Sequence, residues 1–196
     1  MLGTHNSLTS YPAKNKIVEL FSPLWRCQTA SFNEQLMFGV DYFDIRLRFD
    51  KNGEIVFCHG FADLHVIRSL RSILLSLANN GCKCRIIIER GENKGIFQLL
   101  DKAYPRWADV VDSVVVKKGW KALYNRSKHK IKDYSFVPFL SNKSFWYNLT
   151  HMKFSTIYQW ADKHNPKTDY CQLKDDDVVH FMDYWHLHDN RIPWFR

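Results

Sequence analysis

Residues 40–60, VDYFDIRLRFDKNGEIVFCHG, constrain the fold more than any other stretch of the chain. Phe43, Ile45, Leu47 and Phe49 alternate with Tyr42, Asp44, Arg46 and Arg48, the two-residue period of a strand with unlike faces. Asn52-Gly53 is a strong hairpin-turn dipeptide, because tight primed turns need positive φ at both central positions. EIVFC is then a returning strand that ends at His59-Gly60. A two-residue turn would set Lys51 opposite Glu54 and hence Arg46 opposite His59. Directly opposed residues share a face, and Asp44, two positions from Arg46, projects to it as well. The hairpin is therefore expected to gather a carboxylate, a guanidinium and an imidazole on one surface.

The remaining pattern alternates. In ADLHVIRSLRSILLSLANNG, Val66, Ile67, Leu70, Ile73, Leu74 and Leu77 recur at helical spacing, with Asp63 to cap the start and Gly81 to end it. CRIIIER and DSVVVKK read as short buried strands, YSFVPFL as a weaker one and DVVHFMDYW as a late one. A helix is expected from about Lys94 to Ala103, and another over STIYQWADKHNP, stopped at Asn165-Pro166. Strands alternating with helices after one hairpin give an α/β fold, a sheet or barrel with parallel strands. The chain has 196 residues, short of the roughly 250 typical of a full eight-fold barrel. A compact or incomplete, irregular (β/α) TIM-like barrel follows. Without repeats, low-complexity segments or linkers, residues 1–196 are expected to form a single domain.

Formal charge narrows the partners. The net charge is +8 and the isoelectric point about 9.2, which favours an anionic partner: nucleic acid, a phospholipid surface or a phosphorylated small molecule. The densest basic runs, Lys117 to Lys121 and Arg126 to Lys132, serve equally well as a solvated face. No nucleic-acid-binding signature accompanies them, so no nucleic acid is expected. Five cysteines, an odd count, with no leader segment predict reduced thiols and a cytoplasmic setting, secretion remaining open. No apolar stretch approaches the roughly 20 residues that span a bilayer.

The hairpin trio suits phosphate chemistry. Arginine offers a planar fork of donors matched to phosphate oxygens, histidine exchanges protons near neutrality, and a carboxylate orients either. A salt-bridged strand with a structural histidine explains the same spacing. Beyond spacing, GTHNS, then CQTASFNEQLMFGVDYFDIRLR, then FCHG resembles the X region of phosphatidylinositol-specific phospholipases C in order and rough spacing over residues 3 to 60. Farther along, Glu89 in RIIIERGEN and Asp183 in VVHFMDYW fall where that family places further site residues at strand ends.

The resemblance implies a distorted (β/α) barrel with its site at the C-terminal ends of the strands. His5 would be the general base toward the inositol 2-hydroxyl, and His59 the general acid toward the leaving glycerol oxygen. Asp183 would hold the first histidine in its tautomer, Asp44 would assist the acid or a metal, and Arg46 would face the phosphate. The products would be a cyclic inositol phosphate and diacylglycerol. Asn6, Glu89 and Tyr184 would touch substrate, and Tyr184 and Trp185 fit core packing equally well. Calcium-dependent members use Asn with several acidic residues. Here Asn6, Asp44 and Glu89 could serve, but Arg46 would repel a cation, so no cofactor is favoured and Ca2+ is the alternative.

The expected partner is an anionic inositol phospholipid or related phosphodiester, and the chain is expected to be a monomer; Trp146, Tyr147 and Trp194 beside Lys143, Lys153 and Arg196 could make peripheral membrane contact, although ordinary packing explains these aromatics more readily. Gln28 and Gln35 read as helix residues near the site at most, His180 as structural, and His186 and His188 as a loop pair. Two other functions stay open: a catalytically inactive module that binds anionic lipid, and a metal-dependent glycerophosphodiester phosphodiesterase. The second wants a His-Arg start and a Glu-x-Asp strand that this chain lacks.

Overall fold

A computed structural model describes residues 1–90, 95–134, 157–166 and 177–185. The strands are β1 Leu2–Thr4, β2 Tyr42–Phe49, β3 Ile55–His59, β4 Ala62–Asp63, β5 Lys83–Ile88, β6 Val111–Val116, β7 Lys121–Asn125, β8 Lys130–Asp133 and β9 Val178–Met182. The helices are α1 Lys16–Leu20, α2 Phe32–Met37, α3 Leu70–Asn79, α4 Ile96–Ala103 and α5 Ile157–His164.

The sheet runs β7-β6-β5-β2-β1-β9-β8, with β3 hanging from β2 and β4 from β3. Pairing is parallel from β6 through β5, β2, β1 and β9 to β8. β7 closes one side antiparallel to β6. The two edge strands are consecutive in the chain, joined only by residues 126–129. Five Cα steps reach at most about 17 Å, so the sheet must curl until its edges approach. This is the incomplete, irregular (β/α) barrel expected from the alternation. Both edges carry exposed lysines, Lys121 on β7, Lys130 and Lys132 on β8. Edge lysines discourage strand addition, a role that Lys121, Lys130 and Lys132 fill without a ligand.

The two faces of β2 enter different environments. Phe43, Ile45 and Leu47 pack outward with Leu70, Ile73, Leu74 and Leu77 of α3 in the main core. Full burial of each such side chain stabilises by roughly 1.5–3 kcal/mol. Tyr42, Asp44 and Arg46 belong to the other face; Tyr42 packs with Val179 and Phe181 of β9. Gly3 of β1 lies between β2 and β9, where a Cβ would stand 2.8 Å from Val179 Cγ1 and 3.2 Å from Phe181. The middle strand is thus glycine where the sheet curls most tightly over its contents.

Two boundaries differ from the sequence reading. α3 starts at Leu70, capped by Ser69, because Asp63 is consumed by β4 and Ile67 is 81% exposed. The β2–β3 turn has three residues, 51–53: Asp50 N–H donates to Glu54 O at 2.9 Å and Gly53 N–H to Asp50 O at 3.1 Å, with Gly53 at φ +79°. The register moves by one, so Leu47 opposes Phe57, and Arg46 and His59 do not face each other across the ladder. YSFVPFL, apart from Tyr134, lies outside the described residues. No helix among the described residues is long and apolar enough to cross a membrane.

Candidate active site

His5 follows β1 directly, and its N–H donates to Met182 O of β9 at 3.1 Å. The loop it opens is fixed by side chains standing in for a sheet. Ser7 Oγ donates to Thr4 O and accepts from Asp44 N–H, while Ser7 N–H donates to Asp44 O. Gln28 Nε2 donates to His5 O at 3.0 Å and to Met182 O at 2.7 Å. Gln35 Nε2 donates to Ser7 O and Ala30 O and its oxygen accepts from Thr4 Oγ1. Thr9 Oγ1 donates to Asn6 O and accepts from the N–H groups of Cys27 and Gln28. Buried backbone polar groups need such partners, and here two glutamines and the hydroxyls of Ser7 and Thr9 supply them. Gln28 sits in a loop and not in a helix.

On this frame the charged side chains converge. His5 Nδ1 lies 2.7 Å from Asp183 Oδ1 at the end of β9. Its Nε2 lies 2.5 Å from Arg46 Nη2. A guanidinium has only donors, so Nε2 accepts and the ring proton resides on Nδ1, toward Asp183. Arg46 also donates from Nε to Asp44 Oδ2 at 3.0 Å and from Nη1 to Glu89 Oε1 at 2.7 Å. Glu89 Oε2 accepts from Lys117 Nζ at 2.6 Å, and Asp44 Oδ1 from Arg85 Nε at 2.8 Å. The guanidinium of Arg85 stacks over Phe181, 4.0 Å from the ring centre. Burial pushes the Asp44 carboxyl up, but Arg46 and Arg85 outweigh it and hold it well below the usual carboxylate range. Glu89 shows the same balance, burial opposed and exceeded by Arg46 and Lys117.

His59 reaches this group by another route than ladder register. β3 pairs with β2 only as far as Phe57 and then with β4, where His59 opposes Ala62. Its Nδ1 lies 2.5 Å from the Trp25 carbonyl, so Nδ1 carries the proton and Nε2 presents a lone pair. That lone pair accepts from Asn6 Nδ2 at 3.1 Å. The two imidazoles stand edge to face with centres 6.3 Å apart. Burial, then the charge of Arg46 and the His5 ring, lower the His59 pKa to about 4, so the unliganded ring is neutral at pH 7.

The backbone turns sharply beside both members of the His5–Asp183 pair: Asn6 has φ +49° and Tyr184 φ +43°. Left-handed backbone at a non-glycine residue costs on the order of 1–3 kcal/mol. For Asn6 the turn is repaid in part by its N–H donating to Asp44 Oδ2. For Tyr184 the N–H donates to Cys27 O at 2.6 Å.

A recess of about 190 Å³ opens beside the two histidines, lined by His5, His59, Cys27, Trp25, Leu24 and Phe61, with Gly60 and Ile157. Its rim is greasy. Leu24 is 57% exposed and Phe61 60%, and the neighbouring α1 turn leaves Ile17, Leu20 and Phe21 exposed as well.

The structure brings His5, Asn6, Asp44, Arg46, His59, Glu89 and Asp183 into one connected cluster. Tyr184 stands apart from it: the side chain is buried, packed with Cys27, Ile157 and Ala161, its ring edge to face with Tyr158. Burial pushes its phenol up to about 12. The calcium alternative does not fit. Asp44 and Glu89 spend their oxygens on Arg46, Arg85 and Lys117, and a guanidinium occupies the space between them. Trp146, Tyr147, Trp194, Lys143, Lys153, Arg196, His186 and His188 lie outside the described residues. Sequence reasoning missed Cys27, and it missed the clamps made by Gln28 and Gln35. The exposed apolar stripe Ile17, Leu20, Phe21 and Leu24 was legible as an i, i+3, i+4 pattern that no core residue answers.

No family model and no curated protein matches the sequence. Solved structures do. The phosphatidylinositol-specific phospholipase C of Listeria monocytogenes superposes with a TM-score of 0.62 at 17% identity, covering 94% of this chain and 87% of that one. A pentafluoro-Phe form of the Staphylococcus aureus enzyme gives 0.55 at 14% identity, covering 94% and 85%. A further Staphylococcus aureus structure, solved in work on modulating that enzyme's membrane binding, gives 0.54 at 14%, covering 94% and 85%. The chain has the fold of the bacterial phosphatidylinositol-specific phospholipases C.

Proposed function

We propose that the chain is a phosphodiesterase of phospholipase C type that cleaves an inositol phospholipid or a related phosphodiester without a metal. One observation carries the reading: His5 and His59 flank a single recess, with the Arg46 guanidinium against His5 and Asp183 behind it. The fold, shared with enzymes of that chemistry, supports it.

An entering phosphodiester offers anionic oxygens to Arg46 Nη2. The guanidinium then turns from His5 to the phosphate, and the freed Nε2 accepts the proton of the inositol 2-hydroxyl. The hydroxyl oxygen bonds to phosphorus as the bond from phosphorus to the glycerol oxygen breaks. His59 gives that oxygen its proton, so diacylglycerol leaves and a cyclic inositol phosphate remains. Asp183 stabilises the imidazolium formed on His5, as a carboxylate behind a catalytic histidine does. Asp44, fully buried, positions Arg46 and touches no substrate. An internal nucleophile removes much of the orientation cost, and charge neutralisation supplies most of the rest. The unliganded His59 is neutral, so its Nε2 takes a proton from solvent as substrate binds, the substrate's negative charge favouring the imidazolium. The apolar recess suits the glycerol end, and the exposed rim suits a lipid surface.

The test is incubation of the purified chain with phosphatidylinositol vesicles, with and without a chelator. Diacylglycerol and cyclic inositol phosphate are expected in both. Release of neither in both arms overturns the reading. A second reading draws on the Arg46–His5 contact itself: a guanidinium that never leaves His5 makes a lipid-binding module without turnover. Vesicle binding without product would establish it.

A further inference from the structure

Cys27 has no role in the chemistry just described, yet it stands inside the site. Its Sγ, an imidazole nitrogen of His5 and a carboxylate oxygen of Asp183 all lie within 4.8 Å of one another. The three residues come from separate segments: the end of β1, the loop before α2 and the end of β9. All three are buried. A second observation points the same way. Asn6 Nδ2 lies 3.3 Å from Cys27 Sγ, 3.1 and 3.3 Å from the two His5 nitrogens and 3.1 Å from His59 Nε2. Four heteroatoms surround one amide nitrogen that has only two protons to give. The Oδ1 of Asn6, a residue only 2% exposed, has no hydrogen-bond partner among the described residues. The Asn6 amide thus stands where Cys27 Sγ and nitrogens of both histidines approach a single point.

We propose that His5, Cys27 and Asp183 form a binding site for a thiophilic divalent cation such as Zn2+, and that its occupancy arrests proton transfer at His5. Thiolate, imidazole and carboxylate are the mixed donor set that zinc accepts, and three protein ligands leave a fourth place for water or another donor. Hard cations prefer oxygen alone and gain nothing from Sγ. On binding, the Cys27 thiol releases one proton to solvent and bonds to the metal as thiolate, the His5 ring proton moves from Nδ1 to Nε2 as Arg46 gives up its contact there, Nδ1 coordinates as neutral imidazole, and Asp183 keeps its charge. Burial and Asp183 hold the Cys27 thiol protonated in the metal-free protein; a coordinating cation reverses that preference. With Nδ1 bonded to zinc, the ring proton sits on Nε2, which then cannot accept the hydroxyl proton. That second half rests on the phosphodiesterase reading, whereas the binding does not.

The experiment titrates the full chain with Co2+ and then Zn2+. The expected result is a thiolate-to-cobalt charge-transfer absorption at one metal per chain, bleached by zinc. Cys27→Ser abolishes the band and weakens zinc by at least about tenfold, the least that loss of even an outer partner of a metal site costs. Zinc-edge X-ray absorption of the wild-type chain reads one sulfur ligand without any variant, should Cys27→Ser fail to fold. A wild-type chain without the band, or a band that Cys27→Ser leaves undiminished, overturns the site. In the phosphatidylinositol assay zinc abolishes turnover and a chelator restores it; zinc bound without inhibition overturns the arrest. A chain that binds cobalt through Cys27 and cleaves nothing keeps the site and loses the enzyme. A chain that cleaves lipid and shows no band does the reverse.

Discussion

Arg46 Nη2 lies 2.5 Å from His5 Nε2, so the imidazole proposed as base has its reactive lone pair capped by the guanidinium proposed to receive the phosphate. The resting site is closed on itself, and in the proposed reaction the substrate phosphate opens it. Arg46→Lys should then fail to rescue function, because an ammonium cannot hold Asp44, Glu89 and His5 together in one plane. Turnover is expected to fall by about 100-fold or more in this variant. Arg46→Met removes the cation between two buried carboxylates and should cost about 3 kcal/mol in chemical denaturation. A Lys variant with wild-type kcat/KM would remove Arg46 from the reaction.

Asp183→Asn keeps the shape but no longer favours the Nδ1–H tautomer or its imidazolium. Turnover should drop by roughly 100- to 10,000-fold, with vesicle binding unchanged. His5→Ala should fall by a similar factor, and the double variant little further, since the two act as one unit. Additive losses in the double variant would separate their roles.

The His59 pKa near 4 makes a prediction about folding. The unfolded ring takes its proton at about 6.5, so between about pH 6.5 and 4 the unfolded chain binds more protons and stability falls as pH falls. The loss across that window is on the order of 2–3 kcal/mol. It is measured by urea unfolding at pH 7 and pH 4.5, where His59→Gln should flatten the difference. On the activity side, kcat/KM should decline on the alkaline side of its optimum as the acid is lost, and His59→Gln should lack that limb. A wild-type stability equal at both pH values would contradict the buried, neutral imidazole.

Gly3→Ala introduces a methyl 2.8 Å from Val179 Cγ1. Overpacking of this kind costs about 1–3 kcal/mol, and it pushes β1 away from β9, hence His5 away from Asp183. Thermal melts should show the loss, with turnover reduced beyond what the folded fraction explains.

Exchange of Leu20 and Leu24 for serine tests the rim. Each exposed leucine that enters lipid contributes roughly 1.5–3 kcal/mol, so vesicle affinity should fall by about tenfold per residue. Hydrolysis of a soluble phosphodiester should be spared. Equal losses on both substrates would place these residues in folding instead of in contact with lipid.

The sequence disclosed the hairpin, the buried strands β5, β6 and β9 and the amphipathic α3 because each repeats a period over several residues. It concealed what lacks a period. β1 has three residues, and β7 and β8 are half-exposed or exposed and rich in lysine, so nothing alternates. The convergence of His59 on the site was foreseen from a register that proved one residue off. His59 arrives because β3 leaves β2 after Phe57, a divergence set by a three-residue turn that Asn52-Gly53 alone does not specify. Cys27, Gln28 and Gln35 act through single side chains in contact with distant backbone, and no local pattern announces a clamp. The peripheral aromatics marked for membrane contact lie outside the described residues, while the exposed stripe on α1 went unremarked.

The loop carrying His5 is tied down by Gln28, Gln35, Thr4, Ser7 and Thr9, whose amides and hydroxyls neither gain nor lose a proton at any ordinary pH. What ionises sits in front of those ties, except Asp44, whose Oδ2 takes the Asn6 N–H and whose carboxyl Arg46 and Arg85 hold well below the usual carboxylate range. Protonation of the groups in front can therefore change what the site does while those ties stay put, and acid reaches the fold through His59 rather than through the amides and hydroxyls that aim His5.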